Sequence, residues 1–193
     1  DALIIALKSL GIKKGDEVIT VANTCVPTAS AIKSVGAKIK FVDIGKDYLI
    51  NPNLIERNIN KKTKAIIPVH LYGQSCQMDK ICQIAKKYKI NVIEDCAQAQ
   101  GAKYKGKYVG SFGDVGCFSF YPTKILGAYG DGGLVVSKSK KIDEKVKRIR
   151  FYGFEKTKKN KFFKKYYSVE DGINSRLDEI QSSILNLKLP MTK

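Results

Sequence analysis

The chain has 193 residues, of which 44% are apolar, so it can bury the core of one large domain or two small ones. Its 35 lysines and arginines exceed its 18 aspartates and glutamates and leave a formal charge of +17. Because the basic residues are spread along the chain and mixed with acids, this charge does not favour nucleic-acid binding as the primary role. No apolar run reaches transmembrane length, so we expect no membrane partner.

Cysteine usage predicts reduced thiols. The count is odd and no C-x-x-C pair occurs, which argues against a disulfide framework and against a zinc site, so we expect no metal. The cysteines are Cys25, Cys76, Cys82, Cys96 and Cys117. With no signal peptide, this pattern indicates a cytoplasmic protein. The chain begins at Asp1 inside a helical pattern and ends at Lys193 in mid-pattern, so we expect a fragment.

Strands and helices alternate through the first half of the sequence. We predict helices over 3–10, 27–35, 52–59 and 79–88, and strands over 17–21, 38–42, 65–69 and 91–94. Short, continuously apolar strands between helices predict a mostly parallel sheet covered on both faces, in an α/β fold of three layers, α/β/α. Ligands of such sheets bind outside the carboxyl ends of the strands.

The second half is predicted to hold one short buried strand at 118–120, which ends before Pro122 because proline has no N–H for a ladder. A strand over 134–137, a helix over 142–149 and an amphipathic helix over 177–189 follow. The lysine-rich stretch 154–167 is expected to be an exposed loop. Its interleaved aromatic residues suit a nucleic-acid patch or a lid or interface segment, and we favour the second.

Two residues indicate the chemistry. Lys124 follows the strand at 118–120, where a lysine at the rim of a buried sheet loses hydration and has a lowered pKa. A neutral amine there forms a Schiff base with an aldehyde. Asp95 follows an apolar strand and is placed to pair with a protonated pyridine nitrogen. Alone, either residue could be a surface charge or a helix cap; together they are what pyridoxal phosphate (PLP) requires of a protein.

The surrounding motifs extend this interpretation. They are Gly15 to Ile19, Pro68 to Gly73, Glu94 to Gln98, Gly110 to Asp114, Phe118 to Lys124, Gly130 to Gly133 and Asn174 to Gln181. In this order they resemble the DegT/StrS-type sugar aminotransferases, which are fold-type-I, PLP-dependent enzymes. The resemblance implies the large domain of the aspartate aminotransferase-like fold over residues 1–189, with one antiparallel strand in a mixed sheet. Residues 190–193 would begin the connection to a small domain.

The resemblance also implies roles for individual residues. Lys124 would form the internal aldimine and move protons, and Asp95 would bind the pyridine nitrogen. Gln98 would contact the ring hydroxyl, and Ser119 would donate to the cofactor phosphate. Asn174 would reach the phosphate of a neighbouring subunit, which implies a homodimer, and Arg176 and Asp178 could support that interface.

Cys25 departs from the family pattern, because many relatives place an aromatic ring or histidine there, against the cofactor. A thiol gives a thinner contact. His70, the only histidine, could act as a general base but is expected to support the fold. The family's glycine/threonine phosphate-binding turn would precede the first helix, and this sequence does not contain it.

The resemblance therefore predicts an aminotransferase that moves an amino group from an amino acid, glutamate or glutamine, to a keto group of a nucleotide-linked sugar. The expected pathway makes surface polysaccharide, glycan or antibiotic sugars. Some relatives carry histidine at the position of Lys124 and dehydrate sugars, so the lysine favours transamination. A non-catalytic or regulatory protein of this fold, an inactive fragment, and a PLP-dependent dehydratase or lyase are the alternatives.

Overall fold

The computed structural model describes residues 1–155 and 167–192. Strands and helices alternate along them. The helices are α1 (Ala2–Ser9), α2 (Val26–Ser34), α3 (Pro52–Ile55), α4 (Met78–Tyr88), α5 (Lys140–Ile149) and α6 (Glu179–Lys188). The strands are β1 (Glu17–Val21), β2 (Lys38–Val42), β3 (Thr63–Ile67), β4 (Asn91–Asp95), β5 (Lys103–Tyr104), β6 (Lys107–Tyr108), β7 (Val115–Ser119) and β8 (Gly133–Val136).

Six of these strands form one sheet in the order β2-β1-β3-β4-β7-β8. The first five are parallel, and β8 pairs antiparallel with β7. This confirms the predicted mixed, mostly parallel sheet and its antiparallel strand near 134–137. Because parallel strands end at the same edge, the residues that follow β1, β3, β4 and β7 converge there.

The core lies on both faces of the sheet, so the predicted three-layer fold is confirmed. Successive residues of one strand point to opposite faces. Ile66 packs into a cluster with α3 and α4, whereas Ile67 packs into a second cluster with α1 and α2. Both side chains are fully buried. Strands buried on both faces carry near-continuous apolar runs, such as residues 65–67 of β3, and these runs between helices allowed the alternation to be predicted.

The predicted strand at 118–120 was wrong in its bounds. β7 begins at Val115 and ends at Ser119, and its last residues are half-buried. A glycine hid the start of the strand: a Cβ on Gly116 would lie 2.5 Å from the carbonyl oxygen of Gly110, so no β-branched residue fits. Lys124 consequently lies in a turn beyond the strand, where its N–H donates to the carbonyl of Tyr121 at 2.9 Å.

Other predicted elements are shifted. The strand predicted at 65–69 is observed as β3, two residues earlier, and Val69 only forms an isolated bridge to Asp95. The helix predicted at 52–59 divides into α3 and a 3-10 helix over Glu56–Asn58. Of the predicted loop at 154–167, residues 156–166 lie outside the described part of the chain.

None of the described helices is long and apolar enough to cross a membrane. The five cysteines are free thiols, and Cys76, Cys96 and Cys117 are buried. Burial raises the pKa of the Cys76 thiol to about 12, so this thiol is protonated and packs as a small apolar side chain.

Candidate active site

The turn after β7 and the end of β4 border one cavity of 310 Å³. Its lining residues are Ala97, Gln98, Gln100, Thr123, Lys124 and Ile125. Asp95 is the last residue of β4 and pairs in register with Cys117 of β7. The structure therefore brings together Lys124, Gln98 and Asp95, which lie at separate points of the sequence. A cavity at the carboxyl edge of a parallel sheet is the expected place for a ligand.

Asp95 is a buried acid, with 4% of its surface exposed. Its Oδ2 accepts a hydrogen bond from Thr28 Oγ1 at 2.8 Å, and its Oδ1 accepts one from the N–H of Ala97 at 3.1 Å. Burial raises the pKa of Asp95, while these two hydrogen bonds and the charge of Lys124 oppose that rise. Burial is the largest of these influences, so the pKa of Asp95 lies above its ordinary value.

No lysine, arginine or histidine of the described chain lies within ion-pair distance of the Asp95 carboxylate. A buried carboxylate needs a cationic or hydrogen-bonding partner. A protonated ring nitrogen supplies both, and Lys124 beside the same cavity supplies an amine for an aldehyde. The residues present therefore fit a pyridine-aldehyde cofactor such as PLP.

Gln98 and Cys25 lie next to each other at this edge. Gln98 Oε1 accepts the N–H of Tyr72 at 3.2 Å, and its Nε2 lies 3.6 Å from Cys25 Sγ. Cys25 is the exposed N-cap residue of α2, where no side chain caps the helix. The Cys25 thiol thus lies beside Gln98, and it is smaller than an aromatic ring.

Gln100 holds the turn that carries Lys124. Its Nε2 donates to the carbonyls of Ser119 at 2.8 Å and Leu126 at 3.2 Å, and its Oε1 accepts the N–H of Leu126 at 2.6 Å. One amide thereby fixes both ends of the turn from the opposite side of the cavity. On the far side, Gln181 of α6 accepts the N–H of Tyr129 at 2.8 Å.

Ser119 lies at the end of β7, and its Oγ accepts the N–H of Tyr121 at 3.2 Å. Its register partner is Gly133, where a Cβ would lie 3.6 Å from the Cβ of Ala2 at the start of α1. A helix N-terminus, whose free amides attract anions, is therefore close to the serine that was predicted to bind phosphate.

Asn174 is exposed and lies elsewhere on the surface. It forms an isolated bridge with Phe151, and Arg176 Nε donates to its Oδ1 at 3.1 Å. Within the described residues no hydrogen bond joins it to Lys124 or Asp95. The structure thus does not bring Asn174 into the cavity of its own chain, so its predicted role depends on a second subunit.

The carboxylate of Glu94 is also buried, and the sequence analysis assigned no role to this residue. Its Oε1 accepts the N–H groups of Phe112 and Gly113, and its Oε2 accepts that of Gly110, each at 2.7 Å. Burial by itself would raise the pKa of Glu94, but these bonds and the bond to His70 together lower it. The ionised Glu94 therefore binds the 110–113 loop, which leads directly into β7.

His70 is fully buried and supports this network, as the sequence analysis expected. Its Nδ1 accepts the N–H of Cys76 at 3.1 Å, and a backbone N–H can only donate. The ring proton is therefore on Nε2, which donates to Glu94 Oε2 at 3.1 Å. His70 has no free nitrogen for acid-base work.

The donor atoms of His70, Glu94 and Cys96 lie within 4.8 Å of one another, which is a spacing that metal ligands also show. Both histidine nitrogens and both carboxylate oxygens already have hydrogen-bond partners. Burial raises the pKa of the Cys96 thiol, which keeps it protonated and a poor ligand. This cluster is therefore a hydrogen-bond network that organises the polypeptide.

Sequence reasoning also missed Thr28 and Gln100. Thr24 precedes α2 and Thr28 lies in its first turn, with 2.8 Å between the two hydroxyl oxygens. Two threonines four residues apart at the start of the helix that follows β1 are a signal that the sequence contained. For Gln100 there was no such signal, because its partners are 19 and 26 residues away in the chain.

Comparison with known proteins gives one family. The model of the DegT/DnrJ/EryC1/StrS aminotransferase family matches residues 1–192. The chain is 45% identical to a dTDP-3-amino-3,4,6-trideoxy-alpha-D-glucose transaminase of Micromonospora megalomicea subsp. nigra, covering 98% of this chain and 49% of that protein. It is 49% identical to a pleiotropic regulatory protein of Geobacillus stearothermophilus, with coverages of 98% and 49%. The chain thus spans about half the length of these curated relatives.

Solved structures share the same architecture. The crystal structure of S. venezuelae DesV in complex with a ketimine intermediate superposes with a TM-score of 0.92 at 39% identity, covering all of this chain and 50% of that one. NtdA from Bacillus subtilis with bound cofactor PMP superposes with a TM-score of 0.84 at 36% identity, covering 95% and 40%.

Proposed function

The chain belongs to the DegT/DnrJ/EryC1/StrS aminotransferase family, and on that premise we propose that it is the large-domain portion of a PLP-dependent sugar aminotransferase. The reaction moves an amino group from an amino acid, most simply glutamate, to a keto group of a nucleotide-linked sugar. The observation that carries this proposal is the buried Asp95 carboxylate, which has no cationic partner among the described residues and lies beside the cavity that Lys124 lines. In this proposal the large domain comprises residues 1–189, and residues 190–193 begin the connection to a small domain.

Four residues at or beside the cavity have a task in this proposal. When bound, PLP supplies an electron sink for the carbon that exchanges the amino group. Lys124 binds the cofactor through Nζ and, once released by the amino donor, moves a proton at that same nitrogen. Asp95 pairs with the ring nitrogen and keeps it protonated. Gln98 orients the ring through its hydroxyl, and Cys25 contacts the ring face.

The phosphate of the cofactor is assigned to the start of α1 and to Ser119. The proximity of Ala2 to Gly133, the partner of Ser119, supports this assignment. Asn174 completes the phosphate site of a second copy, because it is exposed and outside the cavity of its own chain. The proposal therefore requires a homodimer whose subunits share their sites.

The sugar substrate is inferred from the relatives. The Micromonospora relative is named as a dTDP-sugar transaminase, and a 47% identical relative of Acidithiobacillus ferrooxidans is named as an aminotransferase of a UDP-linked sugar. A nucleotide-linked keto sugar is the class they have in common. A lysine at position 124, with an amine that binds covalently and moves protons, suits amino transfer better than dehydration.

The test is the amino-transfer half-reaction. The purified protein is saturated with PLP, and the visible absorbance band of the lysine-bound cofactor is followed as glutamate is added. We expect glutamate to remove the band and release 2-oxoglutarate in equal amount, and a dTDP- or UDP-linked 3-keto sugar to restore it. A stable band that no amino acid removes would contradict amino transfer.

The name of the Geobacillus relative favours regulation as the second candidate function. A regulatory protein of this fold could bind PLP without turning it over. The same titration separates the two, because a regulator would retain the band in the presence of glutamate. Binding of PLP alone therefore does not decide between them, whereas formation of 2-oxoglutarate does.

A further inference from the structure

Two threonine hydroxyls connect the surface of α2 to the buried carboxylate of Asp95. Thr24 Oγ1 lies 2.8 Å from Thr28 Oγ1, which in turn lies 2.8 Å from Asp95 Oδ2. Thr28 is 1% exposed, and Thr24 is half-buried one helical turn before it. The three groups form a continuous chain of hydrogen bonds that ends at the cavity.

The direction of this chain is set when Asp95 is ionised. A carboxylate only accepts, so Thr28 donates its single proton to Asp95, and its own oxygen is then free to accept from Thr24. The other carboxylate oxygen accepts the N–H of Ala97. Both oxygens are thereby held, and the carboxylate is fixed in one orientation while each oxygen keeps a lone pair for a cation.

The Thr28 hydroxyl does not cap its own helix, α2. The N-cap of α2 is Cys25, which makes no side-chain capping bond, and the Thr28 hydroxyl bonds to a residue 67 positions away. Thr20 provides the contrast: it is equally buried, but its hydroxyl donates to the backbone carbonyl of Ile67 at 2.9 Å. The two threonines thus have similar burial and different partners.

We propose that Thr28, supported by Thr24, is a positioning residue that keeps the Asp95 carboxylate ionised and oriented for the ring nitrogen of the cofactor. This inference rests on the proposed function for the identity of the cation, but the hydrogen-bond chain itself is a property of the protein alone. The residues that touch the cofactor remain those of the cavity, and Thr28 acts through Asp95.

The surroundings of Asp95 make the Thr28 bond consequential. Burial favours the neutral acid, and among the described residues the N–H of Ala97, the Thr28 hydroxyl and the charge of Lys124 oppose it. His70 is already committed to Glu94. The neighbouring Cys117 thiol has a pKa raised by burial and stays neutral, so it adds no charge.

The first experiment uses the cofactor-free protein. The Asp95 carboxyl carbon is followed by ¹³C NMR during a pH titration, with Asp95→Asn to assign it. Thr28→Val keeps the shape and removes the hydroxyl, and we expect it to raise the pKa of Asp95 by about one unit, a tenfold change in the acid constant. Thr28→Ser should restore the wild-type value. Thr24→Val should give a smaller rise in the same direction.

Thr20→Val is the matched control, because it removes an equally buried hydroxyl that bonds to backbone. We expect it to lower stability as much as Thr28→Val does while leaving the Asp95 titration unchanged. An Asp95 titration that is the same in wild type, Thr28→Val and Thr24→Val overturns the proposal. Should Thr28→Val not fold, the Thr28→Ser and Thr24→Val comparison decides.

The second experiment adds PLP labelled with ¹⁵N at the ring nitrogen. Its chemical shift reports whether that nitrogen is protonated, and we expect Thr28→Val to lower the protonated fraction and weaken PLP binding about tenfold relative to Thr20→Val. An unchanged ring-nitrogen shift in Thr28→Val overturns the inference. If wild type binds no PLP, the proposed function fails, and the titration of the cofactor-free protein still decides the role of Thr28.

Discussion

The amide of Gln100 makes three hydrogen bonds to the backbone at the two ends of the turn that carries Lys124. Gln100→Met keeps the size of the side chain and removes all three bonds. We expect the free energy of unfolding to fall by about 1–3 kcal/mol, because half-buried backbone groups lose their partners. Urea denaturation measures this loss. Gln74→Met, at an exposed position, should change stability by less than about 0.5 kcal/mol, and an equal loss in both variants would contradict the assignment.

Glu94 gives a residue-scale prediction with a pH dependence. Its pKa is lowered in the folded protein from an ordinary value of 4.5, so its ionised form stabilises the fold above that pH. The contribution is lost as the pH falls through 4.5 towards the lower folded pKa. Glu94→Gln removes an acceptor from three N–H groups and from His70, and we expect a loss of about 3 kcal/mol at pH 7.

The difference in stability between wild type and Glu94→Gln should therefore shrink as the pH is lowered below about 4.5. Denaturant titrations at several pH values follow it. Glu144→Gln, an exposed change of the same type, serves as the control and should show no such trend. A difference that stays constant from pH 7 to pH 3 would mean that Glu94 is not ionised in the folded protein.

At the scale of elements, β7 depends on glycines for its close approach to the 110–113 loop. A Cβ on Gly116 would lie 2.5 Å from the Gly110 carbonyl oxygen, which belongs to backbone that has little room to move. We expect Gly116→Ala to cost more than about 2 kcal/mol and to weaken PLP binding, since β7 leads to the turn of Lys124. Gly106→Ala meets no atom within 4 Å and should cost only about 1 kcal/mol for its positive φ. Equal losses of stability in Gly116→Ala and Gly106→Ala would contradict the close approach of β7 to the 110–113 loop.

The elements also show what the sequence could predict. β1 and β2 were predicted with their observed bounds: β1 is almost entirely buried, and the edge strand β2 alternates lysines with apolar residues before Val42. The start of β7 was missed because glycine replaces the expected apolar residue. The β5–β6 hairpin was missed because two residues per strand give no periodicity; its turn depends on positive φ at Lys105 and Gly106.

The same distinction applies to the candidate site. Lys124 and Asp95 were predicted because each follows an apolar strand, and the structure places both at the cavity edge of the sheet. The Thr28–Asp95 and Gln100–Leu126 hydrogen bonds were not predicted, because they join residues 67 and 26 positions apart. Such pairs depend on the order of strands in the sheet, which local pattern does not determine.

At the scale of the whole molecule, the proposal requires two chains for each site. A mixture of Lys124→Ala and Asn174→Ala subunits tests this, because only the mixed dimer contains one site with both residues intact. Each pure variant should be inactive. Random exchange should restore about a quarter of the wild-type sites, since half of the dimers are mixed and each has one intact site.

Failure to recover activity after proven subunit exchange would contradict the role of Asn174.

Apolar side chains on and after α6 are exposed in the single chain and could form a contact between subunits. Among them, Ile180, Leu187 and Met191 are 70%, 72% and 82% exposed. Sedimentation of the same samples shows whether the chains associate at all.

The central claim is that Lys124 carries the cofactor, and covalent trapping tests it most directly. The protein is incubated with PLP, reduced with borohydride, digested and analysed by mass spectrometry. We expect one pyridoxyl group per chain, on the peptide that contains Lys124, and none on a folded Lys124→Ala variant. A label distributed over other lysines, or an unlabelled Lys124 in folded protein, would contradict the account.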